Sequence, residues 1–136
     1  MFGFAKTYLV ALMIFVASDI VWLGIMAPRF YRPILGDIAI SGVNLPPAIL
    51  FYVIYPIGLA IFAIEPALRS GSVLTALIYG ALFGFFTYAT YDLSNHATLR
   101  NWSLSLTTID VAWGTILGAL TSAVSVWALT RLIPTG

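Results

Sequence analysis

Residues 8–26 read YLVALMIFVASDIVWLGIM, an apolar run interrupted by a single acid, Asp19. A helix that crosses roughly 30 Å of hydrocarbon needs about 20 such residues, so this stretch is long enough to span a bilayer. Three runs of the same kind follow, at about residues 46–64, 73–91 and 106–129. Residues that start and stop helices punctuate them. Pro28 follows the first, Pro46 and Pro47 open the second, Pro66 stands just past its end, and Arg131 with Pro134 closes the fourth. The pattern predicts an all-α integral membrane protein, with residues 1–136 forming one transmembrane domain of four helices.

Composition excludes most other classes. Of the 136 residues, 61% are hydrophobic, 15% aromatic and only 8% charged, against about 25% charged in soluble domains. A soluble globule of this length would expose large apolar patches. The formal charge is +1 and the six Lys and Arg residues are scattered, so there is no basic stripe to hold nucleic acid. With no Cys and one His, thiolate and imidazole metal sites lack ligands, and no metal is expected. Neither a phosphate loop, a dinucleotide fingerprint nor a nucleophile elbow occurs, so no cofactor is expected either. The first run is too long for a signal peptide and lacks a small-residue cleavage motif, so it is expected to be retained.

The connections between runs are short, which places sequence neighbours antiparallel in an up-down-up-down bundle. With the termini on a near side, Lys6, Arg69 and Arg131 lie near, while Arg29, Arg32 and Arg100 lie far. The balance leaves orientation open, apart from a slight bias of the free amino terminus toward the cytoplasm. Gly80 with Gly84, and Gly114 with Gly118, are small residues spaced for close helix contact, either within the bundle or toward a partner helix. Pro56 lies inside the second run, where it frees the carbonyl of Tyr52 and predicts a kink.

The threading gathers polar residues at the far side. Asp19 lies roughly 10 Å, and Asp110 about 6 Å, below the far rim at 1.5 Å of rise per residue. Asp92 ends the third run at the same level, one turn before His96. An aspartate at a transmembrane helix centre costs about 2.5–3.5 kcal/mol on insertion scales, so it is expected to face the bundle and find a partner. Tyr52, Tyr55, Tyr91 and Asn95 cluster at this end, and the near-side halves are plainer. Two readings of the carboxylates stand: a polar intramembrane site for a ligand, proton or cation, or hydrogen bonds that only fix helix register. Asp92 with His96 is a candidate acid-base pair, with an ordinary interfacial histidine as the alternative. Arg29, Arg32 and Arg100 are candidates for a lipid phosphate or carboxylate, or for routine headgroup contact. Tyr8, Tyr31, Trp102 and Trp127 read as interfacial anchors.

A further regularity is Asp-x-x-Trp, present as Asp19 with Trp22 and again as Asp110 with Trp113. Each pair shares a helix face, and each indole N–H can donate a hydrogen bond. Because the two helices run oppositely, the copies are not a simple parallel duplication. These elements, with Ser18, Leu23 and Gly24 around the first, Gly114 after the second, and Tyr91-Asp92-Leu93-x-Asn95, resemble the domain-of-unknown-function family 2177 of small bacterial membrane proteins. The resemblance spans nearly the whole chain. It implies a four-helix protein of the inner membrane, a setting in lipid metabolism, and interest in Asp19, Trp22, Asp92, Asn95, Asp110 and Trp113.

Three functions are expected in order. The first is binding of a lipid or other hydrophobic or amphipathic small molecule, by Asp19, Asp92 and Asp110 with Trp22, Trp113, Tyr52, Tyr55, Tyr91 and Asn95. The second is a small proton-coupled transporter, as a homo-oligomer. The third is an accessory subunit of a larger membrane complex. Whether the protein is an enzyme stays open; Asp92 and His96 are the catalytic candidates if it is.

Overall fold

The structure is a computed structural model that describes residues 3–133. It is helical throughout, with no strand among the described residues. The chain folds as α1 (Phe4–Met26), α2 (Arg32–Leu35), α3 (Leu45–Leu59), α4 (Glu65–Ser70), α5 (Val73–Thr98) and α6 (Leu104–Arg131). Four stretches are long and apolar enough to cross a membrane: Phe4–Ile38, Leu45–Ser70, Val73–Thr98 and Leu104–Arg131.

Two of the expected helix ends are overturned, and both involve proline. The first span does not stop at Pro28; a π-helical turn over Ala27–Tyr31 carries it into α2. Pro28 has no N–H to offer the Gly24 carbonyl and its ring would crowd that oxygen; the wider turn accommodates both problems. α2 ends at Gly36, whose φ of +54° an L side chain tolerates poorly. Likewise Pro66 does not end the second span, because a π turn over Ala60–Ile64 leads into α4, which places Pro66 in a first turn where a missing N–H is harmless. The irregularity expected from Pro56 therefore takes the form of a π turn one helical turn later. Val53, next to the freed Tyr52 carbonyl, accepts a bond from the Tyr8 hydroxyl through its own carbonyl at 2.9 Å.

The remaining ends follow local chemistry. Asn44 precedes α3, with Pro46 and Pro47 in its first turn. Gly71, at φ +68°, closes α4. Ser72 and Ser103 cap α5 and α6 through their hydroxyls, accepting from the N–H of Thr75 at 3.1 Å and Leu106 at 3.3 Å. α5 also runs past Tyr91, where its end was expected, through Asp92, Asn95 and His96 to Thr98. Pro134, expected to help stop the last helix, lies outside the described residues.

The spans form a closed ring, in which α1 packs on α3 and α6, α6 packs on α5, and α5 meets the π turn of the second span. The α5–α6 seam is the tightest. A Cβ on Gly80 would strike the carbonyl oxygen of Gly118, one on Gly84 that of Gly114, and one on Gly118 that of Gly80. The four glycines therefore serve this seam rather than a partner helix. Phe15, Leu59, Leu117 and Leu129 fill the interior, while Leu9, Met13, Val21 and Ile54 are among the large side chains turned outward, as lipid requires. Gly84→Ala is expected to destabilise the fold by about 1–3 kcal/mol through overpacking. Gly24→Ala, whose Cβ meets nothing within 4 Å, should leave unfolding in detergent nearly unchanged; equal melting of the two variants would contradict the seam.

Candidate functional site

Asp19 is the most heavily bonded acid in the bundle. Its Oδ2 accepts the hydroxyl of Tyr52 from α3 at 2.5 Å, and its Oδ1 accepts the indole N–H of Trp113 from α6 at 3.0 Å. The carboxylate is only 5% exposed, so one buried charge ties three spans together. Tyr52 and Trp113 stand roughly 10–13 Å inside the far ends of their helices, counting 1.5 Å per residue. That level agrees with the depth expected for Asp19.

The two Asp-x-x-Trp elements are crossed. Trp113 of the second bonds Asp19 of the first, while Trp22 of the first donates its indole N–H to the Tyr31 hydroxyl at 3.1 Å, and that hydroxyl donates to Asp110 Oδ1 at 2.8 Å. Between the two acids the indoles of Trp22 and Trp113 stack, with centroids 4.3 Å apart and planes 4° from parallel. Asp19 and Asp110 thus share a level and a network, but the indole pair separates them and they do not share a pocket. Tyr31, expected as an interfacial anchor, instead completes the crossed bond; the π turn past Pro28 is what carries it back over the bundle.

Asp92 has a different situation. It is wholly buried, and neither Oδ1 nor Oδ2 has a hydrogen-bond partner. The Asp110 carboxyl is its neighbour, within range of a direct carboxyl–carboxyl contact. The two acids line one cavity of about 350 Å³. Its apolar wall includes Leu23, Ala27, Leu35 and Leu106, its aromatic wall Tyr31, Tyr91 and Trp102. At its exposed edge Arg32 donates from Nη1 to the Ile40 carbonyl at 2.9 Å and from Nη2 to the Gly42 carbonyl at 3.3 Å. The guanidinium has five N–H groups, so most of it remains available. Trp102 is held by its own bond to Thr107 Oγ1, 3.0 Å, and meets Tyr91 edge-on.

A second cavity, about 370 Å³, is lined by Phe51, Tyr55, Thr87, Tyr88, Tyr91 and Asp110. Tyr91 and Asp110 therefore form the partition between the two. Tyr55 is fixed there by its hydroxyl, 3.0 Å from Thr87 Oγ1, and by stacking on Phe15. Since the Thr87 hydroxyl is directed at the Phe83 carbonyl at 2.8 Å, Tyr55 is the donor.

The expected site residues accordingly divide. Asp92, Asp110, Tyr91 and Arg32 meet at the first cavity, and Tyr55 joins Tyr91 and Asp110 at the second. Asp19, Trp22, Tyr52 and Trp113 form the crossed network beneath. Asn95, His96, Arg29 and Arg100 line neither cavity. Asp92 and His96 share α5 but no hydrogen bond joins them. Sequence reasoning missed Trp102 and Leu106 as walls and the segment around Ala39–Gly42 as a cover, because only the continuation of the first span brings that segment over the bundle.

Hydrogen bonds to a buried charge are worth about 1.5–3 kcal/mol each. Asp19→Ala, which removes both acceptor oxygens, should destabilise by at least that amount in unfolding titrations. Trp113→Phe should add little on top of it, since both changes break the same bond.

No curated protein and no solved structure matches the chain. A family model described as "Predicted membrane protein (DUF2177)" matches residues 4–127, a range that holds the first three spans, most of the fourth and both Asp-x-x-Trp elements, and the chain belongs to that family.

Proposed function

We propose that this protein holds an amphipathic lipid in the bacterial inner membrane, with the polar end in the cavity at Asp92 and Asp110. One observation carries the reading: a buried acid with no donor on either oxygen lines, with Asp110 and Arg32, a cavity whose remaining walls are mostly apolar and aromatic. Burying a carboxylate is expensive unless something answers its charge or its lone pairs, and the headgroup layer begins just outside this level at the far rim. The volume of about 350 Å³ lies at the small end of ligand pockets, which suits a head group and glycerol region with the acyl chains left in the bilayer. Leu23, Ala27, Leu35 and Leu106 give those chains an apolar exit, and Arg32 offers free N–H groups at the edge.

Asp19, Trp22, Tyr52 and Trp113, expected as ligand contacts, serve here as the rigid floor that keeps the cavity open. Neither a relay through all three acids nor a partner helix has comparable support, because the indole stack separates Asp19 from Asp110 and the glycines serve the α5–α6 seam.

Mass spectrometry of the protein purified in mild detergent tests the reading. The native chain should retain about one lipid per protein through delipidating washes. Ala27→Phe, which fills the cavity, and Asp110→Asn, which removes its charge, should lower that retention several-fold, whereas Leu9→Phe on the outer face should not. Equal retention by all four folded proteins would overturn the assignment.

A further inference from the structure

We infer that the head group taken by this cavity carries a primary ammonium, as in an aminophospholipid, with the ammonium seated between Asp92 and Asp110 and the phosphate at Arg32. The inference rests on the lipid-binding reading above and adds the chemical class of the ligand. Two acids line the cavity. Asp92 is buried with no donor on either oxygen, and Asp110 has one oxygen, Oδ1, taken by the Tyr31 hydroxyl. A primary ammonium has three N–H donors and no acceptor, so it can donate to both carboxyl groups at once.

Other common head groups answer them less well. A quaternary ammonium has the charge and suits aromatic walls such as Tyr91 and Trp102, but it has no N–H and leaves the buried Asp92 oxygens without hydrogen bonds. A glycerol head offers hydroxyl donors without the positive charge that two neighbouring carboxylates call for. A bare anionic head would meet the carboxylates with like charge.

The outer end fits the other half of a zwitterion. Arg32 is held in place by the carbonyls of Ile40 and Gly42 and still presents donors, a preorganised arrangement for phosphate oxygens. A head group with its cation inside and its anion at the edge therefore matches the polarity of the cavity along its length.

The test is competitive retention in nanodiscs containing equal parts of phosphatidylethanolamine, its N,N-dimethyl derivative, phosphatidylcholine and phosphatidylglycerol, read by native mass spectrometry. Phosphatidylethanolamine should be retained about tenfold over phosphatidylcholine, the ratio expected from the charge-assisted bonds that methylation removes, with the dimethyl lipid between them. Asp92→Asn should bring that ratio close to one, Asp92→Glu should preserve a preference, and Arg32→Gln should weaken retention of every phospholipid. If Asp92→Asn fails to fold, the methylation series on the native chain decides alone. Retention without regard to head group overturns the ammonium assignment and leaves lipid binding standing, whereas no retained lipid in any arm overturns both. Addition of free phosphoethanolamine separates the sources of this chemistry: a lipid site keeps its phospholipid against a millimolar excess. Displacement at micromolar levels would assign the cavity to the soluble compound and overturn the lipid inference.

Discussion

The bundle is organised around one buried negative charge. Without partners, Asp19 would oppose insertion of α1, since an acid at a helix centre costs about 2.5–3.5 kcal/mol. Two charge-assisted hydrogen bonds, from Tyr52 and Trp113, offset a cost of that size. They can do so only if α1, α3 and α6 converge at this residue with the right rotation. The rotation then settles the neighbours: Phe15, one turn away on α1, is directed onto Tyr52 and Tyr55, and Trp22 onto Trp113. Packing in lipid has little hydrophobic drive to fix helix rotation, so a polar contact of this kind has unusual influence on the whole arrangement.

The same four-residue element is used twice to different ends. Trp113 reaches Asp19 directly, and the carboxylate is sealed. Trp22 reaches Asp110 only through Tyr31, and the interposed phenol leaves the second oxygen of Asp110 facing a cavity. A single inserted hydroxyl thus separates an acid that holds the fold from an acid that is open to chemistry. Asp92 on the facing helix makes the open one a pair. Enzymes and binding proteins often set two carboxylates in contrasting surroundings, and here the contrast arises from the length of one bridge.

Much of this was legible in the sequence. Hydrophobic run length gave four spans, short connections gave their antiparallel order, and the scarcity of acids made Asp19, Asp92 and Asp110 conspicuous. The level shared by those acids followed from the rise of a helix. What was not legible lay at prolines: Pro28 and Pro66 read as stops under rules for regular α-helix, whereas the chain passes both through π turns that no periodicity announces. The error at Pro28 propagated, because a helix that ends there cannot return Tyr31 to Asp110 or lay Arg32 beside the cavity. Similarly, four glycines at suitable spacing do not say which helix they meet; only the docked backbones of α5 and α6 assign them. That the acids would be parted by an indole stack depends on side-chain rotamers, and spacing alone is silent on those.

The continuation past Pro28 also bears on the choice of membrane. The first span covers 35 residues against 26 to 28 in the others, more than the roughly 20 that the hydrocarbon requires. Its surplus, from Ala27 onward, lies over the far end of the bundle, where Tyr31 bonds Asp110 and Arg32 borders the cavity. A membrane rich in anionic lipid would hold that segment in place through Arg29 and Arg32.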